Sequence, residues 1–120
     1  MKFTIDDLLS RLPLPANNRW PDGVWDLEAF KKGKVTLVFF APRVKDHQTF
    51  HEEDEFYFIV RGSGEIVIED VRSQVTTGNA IFVGARKSHR FENFTVILRR
   101  GRSSFNSIQS VSCNRRWPHR

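Results

Sequence analysis

His51 and Glu55 stand four residues apart in HEEDE, and a second histidine, His89, lies downstream in GNAIFVGARKSHRFENF. A neutral imidazole and a carboxylate that converge on one point form the mixed nitrogen and oxygen donor set suited to divalent Fe, Mn, Ni, Co or Zn. Two such ligands hold an ion weakly, so His89 is the candidate third, provided that the strands return it to the same cavity. A separation of four puts His51 and Glu55 on one face of either a strand or a helix. The run FYFIV that follows, ending near Gly62, is aromatic and β-branched and favours a strand. The metalloprotease pattern His-Glu-x-x-His fails, because position 55 is Glu. The competing reading is structural: two ordinary packed or solvated histidines, and a solvated turn at Glu52, Glu53, Asp54 and Glu55. No separate nucleophile or general base is identifiable, so catalytic residues stay unassigned.

The elements that must position these side chains are mostly short strands. VTLVFFA (35–41), FYFIV (56–60), EIVIED (65–70), SQVTT (73–77), AIFV (80–83) and HRFENFTVIL (89–98) are separated by turn signals such as RGSG and TTGN. That spacing predicts an all-β, mainly antiparallel sandwich or barrel rather than βαβ units. At the start, Ile5, Leu8, Leu9 and Leu12 recur at the spacing of one helix face, with Thr4 as N-cap and Asp6 and Asp7 in the first turn. Pro13 and Pro15 end that helix, and residues 13–34 read as a covering loop in which Trp20, Trp25 and Phe30 are packing anchors.

Together, the stretches around His51 and His89 resemble the cupin superfamily of small β-barrels. Its first motif, Gly-x5-His-x-His-x3or4-Glu-x6-Gly, is met in its second half by His51, Glu55 and Gly62, while Thr49 occupies the place of the first His and His47 lies two residues too early. DHQTFHEEDE also looks like a cupin subgroup that lacks that first His. The second motif, Gly-x5-Pro-x-Gly-x2-His-x3-Asn, maps onto Gly78, Gly84, Arg86, His89 and Asn93, with Gly84 replacing Pro and Arg86 replacing Gly. The resemblance implies a cupin-type β-barrel or jelly roll with a short N-terminal helix. It further implies that His51, Glu55 and His89 are metal ligands projecting into the barrel. Gln48 is an accessory group, ranked as a hydrogen-bonding neighbour above a direct ligand, and His47 is an accessory candidate if the chain folds back. Aromatics such as Phe39, Phe56, Phe58 and Phe91 are expected to line the pocket. The function implied is a metal-dependent small cupin that acts on or binds a small organic molecule, an oxygenase or isomerase if it is an enzyme. A ligand-binding or sensor cupin without metal is the alternative. Association into a homodimer is expected by analogy with small cupins.

At 120 residues the chain has room for one core. The net charge of +5 invites a nucleic-acid reading, yet residues 1–94 carry 13 bases against 14 acids, and the excess lies in six arginines from Arg99 to Arg120. The expected organisation is therefore a cupin domain over 1–98 and a basic, disordered or appended tail over 99–120. A translated frameshift near Thr95 is one origin for that tail. A basic arm with Phe105 and Trp117 as stacking groups is another, disfavoured because scattered arginines give only salt-dependent, nonspecific attraction. No apolar run reaches the roughly 20 residues that cross a bilayer, and the lone Cys113 asks for no oxidising compartment. A cytoplasmic protein without membrane or nucleic-acid partners is expected.

Overall fold

A computed structural model describes residues 1–43, 45–94, 96–97, 105–106 and 109–115. The helix α1 (Ile5–Ser10) begins where its capping residue predicts: Thr4 accepts a hydrogen bond from the Asp7 amide at 3.2 Å. Among the described residues ten strands follow: β1 (Asp26–Lys32), β2 (Val35–Phe40), β3 (Asp54–Arg61), β4 (Ser63–Ile68), β5 (Val71–Thr76), β6 (Ala80–Val83), β7 (His89–Glu92), β8 (Val96–Ile97), β9 (Phe105–Asn106) and β10 (Gln109–Arg115). They form a five-stranded sheet in the order β1-β2-β10-β3-β6, a three-stranded sheet β5-β4-β7 and the pair β8-β9, all antiparallel.

In an antiparallel pair, residues directly opposite share a face. The register therefore sends Phe40, Val38, Ser110, Ser112, Ile59, Tyr57, Glu55 and Val83 to one side of the large sheet. That side meets the small sheet. The core between them contains Phe40, Tyr57, Ile59, Ile66, Val75, Val83 and Phe91, closed at one end by Trp20 from the loop before β1. On the other side of the large sheet, α1 lays Leu8 over Leu27, Phe39 and Ala41. That helix covers only part of the face, and Val35, Phe56, Phe58 and Phe82 stay exposed.

Two segments differ from the sequence reading. Residues 26–32, expected within a covering loop, pair with β2 through a hairpin that turns at Gly33, whose φ is 59°. Leu27 and Ala29 pack inward beneath α1, but charged neighbours disguise that alternation. More consequentially, the tail expected after residue 98 contributes β10, which lies between β2 and β3. Ser110 and Ser112 are buried, and Val111 packs with the cluster under α1. Small polar residues in this strand carry little hydrophobic signal, which is why it read as tail. Residues 99–104, 107–108 and 116–120 of that tail, with Trp117, lie outside the described residues. Among the described residues no helix is long and apolar enough to cross a membrane.

Candidate metal centre

Alternation along β3 turns Glu55 and Tyr57 inward and Phe56 and Phe58 outward. His51 lies just before that strand, and His89 opens β7 in the facing sheet. His51, Glu55 and His89 thereby bring one donor atom each within 4.8 Å of one another. Donors sharing an ion at bonds of about 2.1 Å are separated by at most about 4.2 Å, so binding draws such a group in only slightly. The two imidazole rings are 5.2 Å apart, and His51 Nε2 is 3.3 Å from Glu55 Oε1.

Each side chain is oriented by a neighbour. His89 Nδ1 donates to the Lys87 carbonyl at 2.9 Å, which leaves Nε2 as the ring's accepting nitrogen, on the side of His51 and Glu55. The Tyr57 hydroxyl lies 3.0 Å from that nitrogen and 3.1 Å from Gln48 Oε1, so its single proton serves one or the other. Gln48 is fixed in turn by Asp46, which accepts from the Gln48 backbone amide at 3.0 Å and from its side-chain Nε2 at 2.5 Å. With the amide nitrogen committed to Asp46, Gln48 Oε1 faces His51 Nε2 at 3.3 Å. Asp46 also accepts from the Phe91 amide at 2.8 Å, tying the loop before β3 to β7.

The electrostatics are those of a largely buried polar cluster. Glu55 is 2% exposed, and its Oε1 has no hydrogen-bond partner, because the approach of His51 lacks bonding geometry. Burial raises the carboxyl pKa values of Glu55 and Asp46 and lowers that of His51. It also pushes the Tyr57 phenol well above its ordinary value, which keeps the hydroxyl a neutral donor.

Gln48, His51, Glu55 and Tyr57 line a cavity of about 140 Å³ together with Trp20, Val38, Phe40, Thr49 and Ser112, and with Arg19 and Asp26, while His89 stands behind them. Thr49, in the place of the absent motif histidine, reaches the cavity but is exposed, and the oxygen nearest His51 on that side comes from Gln48. His47 stands apart from the three-donor group, its ring packed edge-on against Trp20 at 5.3 Å. The expected aromatic lining is corrected: Phe39, Phe56 and Phe58 face away from the cavity, and Phe91 belongs to the core rather than to the lining. The one-residue pleat that admits Glu55 excludes its neighbours.

Two of the other acids of HEEDE, Glu52 and Asp54, brace the loop before β7. Asp54 accepts from the Ala85 amide at 2.7 Å, Glu52 pairs with Arg86 at 2.8 Å, and the Arg86 amide donates to the His51 carbonyl at 2.6 Å. Arg86, at the motif position expected to be Gly, adopts φ 63°, a left-handed conformation that these contacts hold. Sequence reasoning missed Tyr57, Asp46, Ser112, Arg19 and Asp26. Tyr57 was recoverable, since an inward Glu55 implies an inward residue two further along; Ser112 carried no signal.

Residues 36–96 match the model of the family described as Cupin domain. An uncharacterised protein of Streptomyces coelicolor is 35% identical over 88 residues, covering 72% of this chain and 83% of its own. Among solved structures, the EutQ protein of Clostridium difficile superposes with a TM-score of 0.62 at 14% identity, over 97% of this chain and 81% of its own. A cupin superfamily protein of Desulfitobacterium hafniense gives 0.55 at 14% identity, over 75% and 74%. Pac13, described as a nucleoside dehydratase, gives 0.54 at 14% identity, over 73% of this chain and 64% of its own. A tyrosine-to-phenylalanine variant of Streptomyces Pac13, solved with uridine, gives 0.54 at 15% identity over the same shares. At such identities the likeness to solved structures is one of fold.

Proposed function

The chain belongs to the cupin family, and from that premise we propose that it is a small metal-binding cupin that takes a small organic molecule into its cavity. A divalent transition metal would be held by His51, Glu55 and His89. The observation that carries this reading is Glu55: a buried carboxylate oxygen with no hydrogen-bond partner sits beside the nitrogens of two histidines. A cation is the partner that such an oxygen lacks, since a buried carboxylate otherwise costs several kcal/mol, on the order of what drives it to take up a proton. Gln48, clamped by Asp46, borders the ion as a hydrogen-bonding neighbour, and the Tyr57 hydroxyl would turn its proton to Gln48 Oε1 when His89 Nε2 holds the ion. When bound, the metal supplies Lewis-acid polarisation or activation of a ligand oxygen. The chain's own groups orient the molecule, keep water out through Trp20 and Phe40, and hold a proton on the Tyr57 hydroxyl.

The test is metal analysis of protein stripped with chelator and rebuilt separately with Fe, Mn, Ni, Co and Zn. About one ion per chain is expected. His51→Ala and His89→Ala should each lose it while keeping the far-UV spectrum of the parent. A wild type that retains none of these metals sinks the reading. In that case a second reading applies, a metal-free ligand-binding or sensor cupin. It is favoured by the satisfied contacts of His89, whose Nε2 already faces the Tyr57 hydroxyl at 3.0 Å. Oxygen uptake or turnover of a candidate ligand separates an oxygenase or isomerase from a binding protein. The exposed face bearing Phe56, Phe58 and Phe82 supports a homodimer.

A further inference from the structure

The cavity's far wall narrows the class of molecule. At about 140 Å³ the space is well below the roughly 300–1,000 Å³ of pockets for drug-sized ligands, so the part of an occupant held inside has only a few heavy atoms. Two charged side chains face it besides the metal candidates: Arg19, exposed in the loop before Trp20, and half-buried Asp26 at the start of β1. Opposite charges lining one small space commonly pair, yet these two do not. Among the described residues neither makes a hydrogen bond or an ion pair. Asp26 is partly withdrawn from water without a compensating donor, and burial raises its own pKa.

We infer that Arg19 and Asp26 are the two halves of a binding site for a short carboxylic acid that also carries a hydroxyl or amino group, the carboxylate taken by Arg19 and the donor by Asp26. The guanidinium offers a planar fork that matches a carboxylate. Asp26, when ionised, can only accept, so its complement is a hydroxyl or ammonium hydrogen. This inference rests on the metal reading for its charge balance: with a divalent ion on Glu55, the groups facing the cavity carry a net single positive charge, which favours an anion. Trp20 and Phe40 add an apolar wall for a short carbon skeleton.

Titration calorimetry on metal-loaded protein, with metal content measured on the same sample, tests it with four probes: lactate, alanine, propionate and propane-1,2-diol. Lactate or alanine should bind at least tenfold more tightly than propionate, and propane-1,2-diol should bind weakly or not at all. Arg19→Gln should weaken the preferred acid at least tenfold with metal content unchanged. Asp26→Asn should leave propionate binding intact and narrow the preference for the donor-bearing acid to less than about threefold. Loaded, folded protein that binds the diol as well as lactate, or an Arg19→Gln protein with undiminished affinity, overturns the inference. If the wild type holds no metal, the same titrations are run on the metal-free protein. Acid binding that disappears in Arg19→Gln then keeps the two-residue site and discards the metal reading, whereas absence of binding discards both.

Discussion

Glu55 is the residue at which function and stability pull apart. Its buried oxygen has no hydrogen-bond partner, a situation that costs about 1–3 kcal/mol when no ion is bound. Replacement by Gln, which removes the charge but keeps the shape, should abolish metal binding and yet stabilise the metal-free protein at pH 7 by about 1 kcal/mol in urea unfolding. The pH dependence follows with a definite sign. Burial raises the carboxyl pKa values of Glu55, Asp46 and Asp26 above their ordinary values of 4.5, 3.8 and 3.8. A group whose folded pKa is raised stabilises fully below its unfolded value and loses that contribution as pH climbs through the folded one. The metal-free protein should therefore lose stability upward from about pH 4 to 5 until these carboxyls are ionised in the fold. His51 runs oppositely: burial lowers its pKa, so its contribution grows as pH approaches 6.5 from below. Glu55→Gln should flatten the carboxylate part of the melting-temperature profile, and a profile identical to wild type would refute the assignment. The convergence of His51, Glu55 and His89 was legible in the sequence because motif spacing survives without knowledge of the fold. Arg19, Asp26 and Ser112 were not, since they meet the site only through loop closure and strand pairing.

At the scale of elements, β10 governs the site more than its composition suggests. Ser112 lies opposite Tyr57 on one side and Val38 on the other, so this strand supplies the cavity's wall between β2 and β3. Its small side chains leave the space open. Deletion of residues 109–120 should therefore abolish cooperative thermal unfolding and ligand binding together, read by circular dichroism and calorimetry; a folded truncated protein with native melting temperature would show β10 to be dispensable. A disordered or appended tail was the reading that Arg and Ser content encouraged. Strand identity here comes from partners on both sides rather than from local pattern, and only the paired structure supplies those partners. The helix α1, by contrast, was readable to its cap, because its signals are local: Thr4, two acids and an apolar stripe.

For the whole molecule, the exposed outer face of the large sheet sets the expectation of self-association. Phe56 and Phe82 are 48% and 53% exposed, and their rings lie 5.1 Å apart beside Phe58. Sedimentation at tens of micromolar should show the proposed homodimer, and Phe56→Lys should yield a monomer with unchanged secondary structure; a wild type that stays monomeric would remove the homodimer from the proposal. The antiparallel two-sheet architecture was legible from strand and turn spacing, whereas this face was not, because inward and outward apolar residues look alike in FYFIV until Glu55 fixes the phase. The pairing of Ser110 with Phe40 has a kinetic consequence. Joining positions about seventy residues apart costs roughly 4 kcal/mol of loop-closure entropy before any contact repays it. The wall of the cavity that β10 supplies should therefore form late, and the chain should fold on the millisecond-to-second scale of proteins ruled by distant pairings, its cavity completed only when that strand pairs.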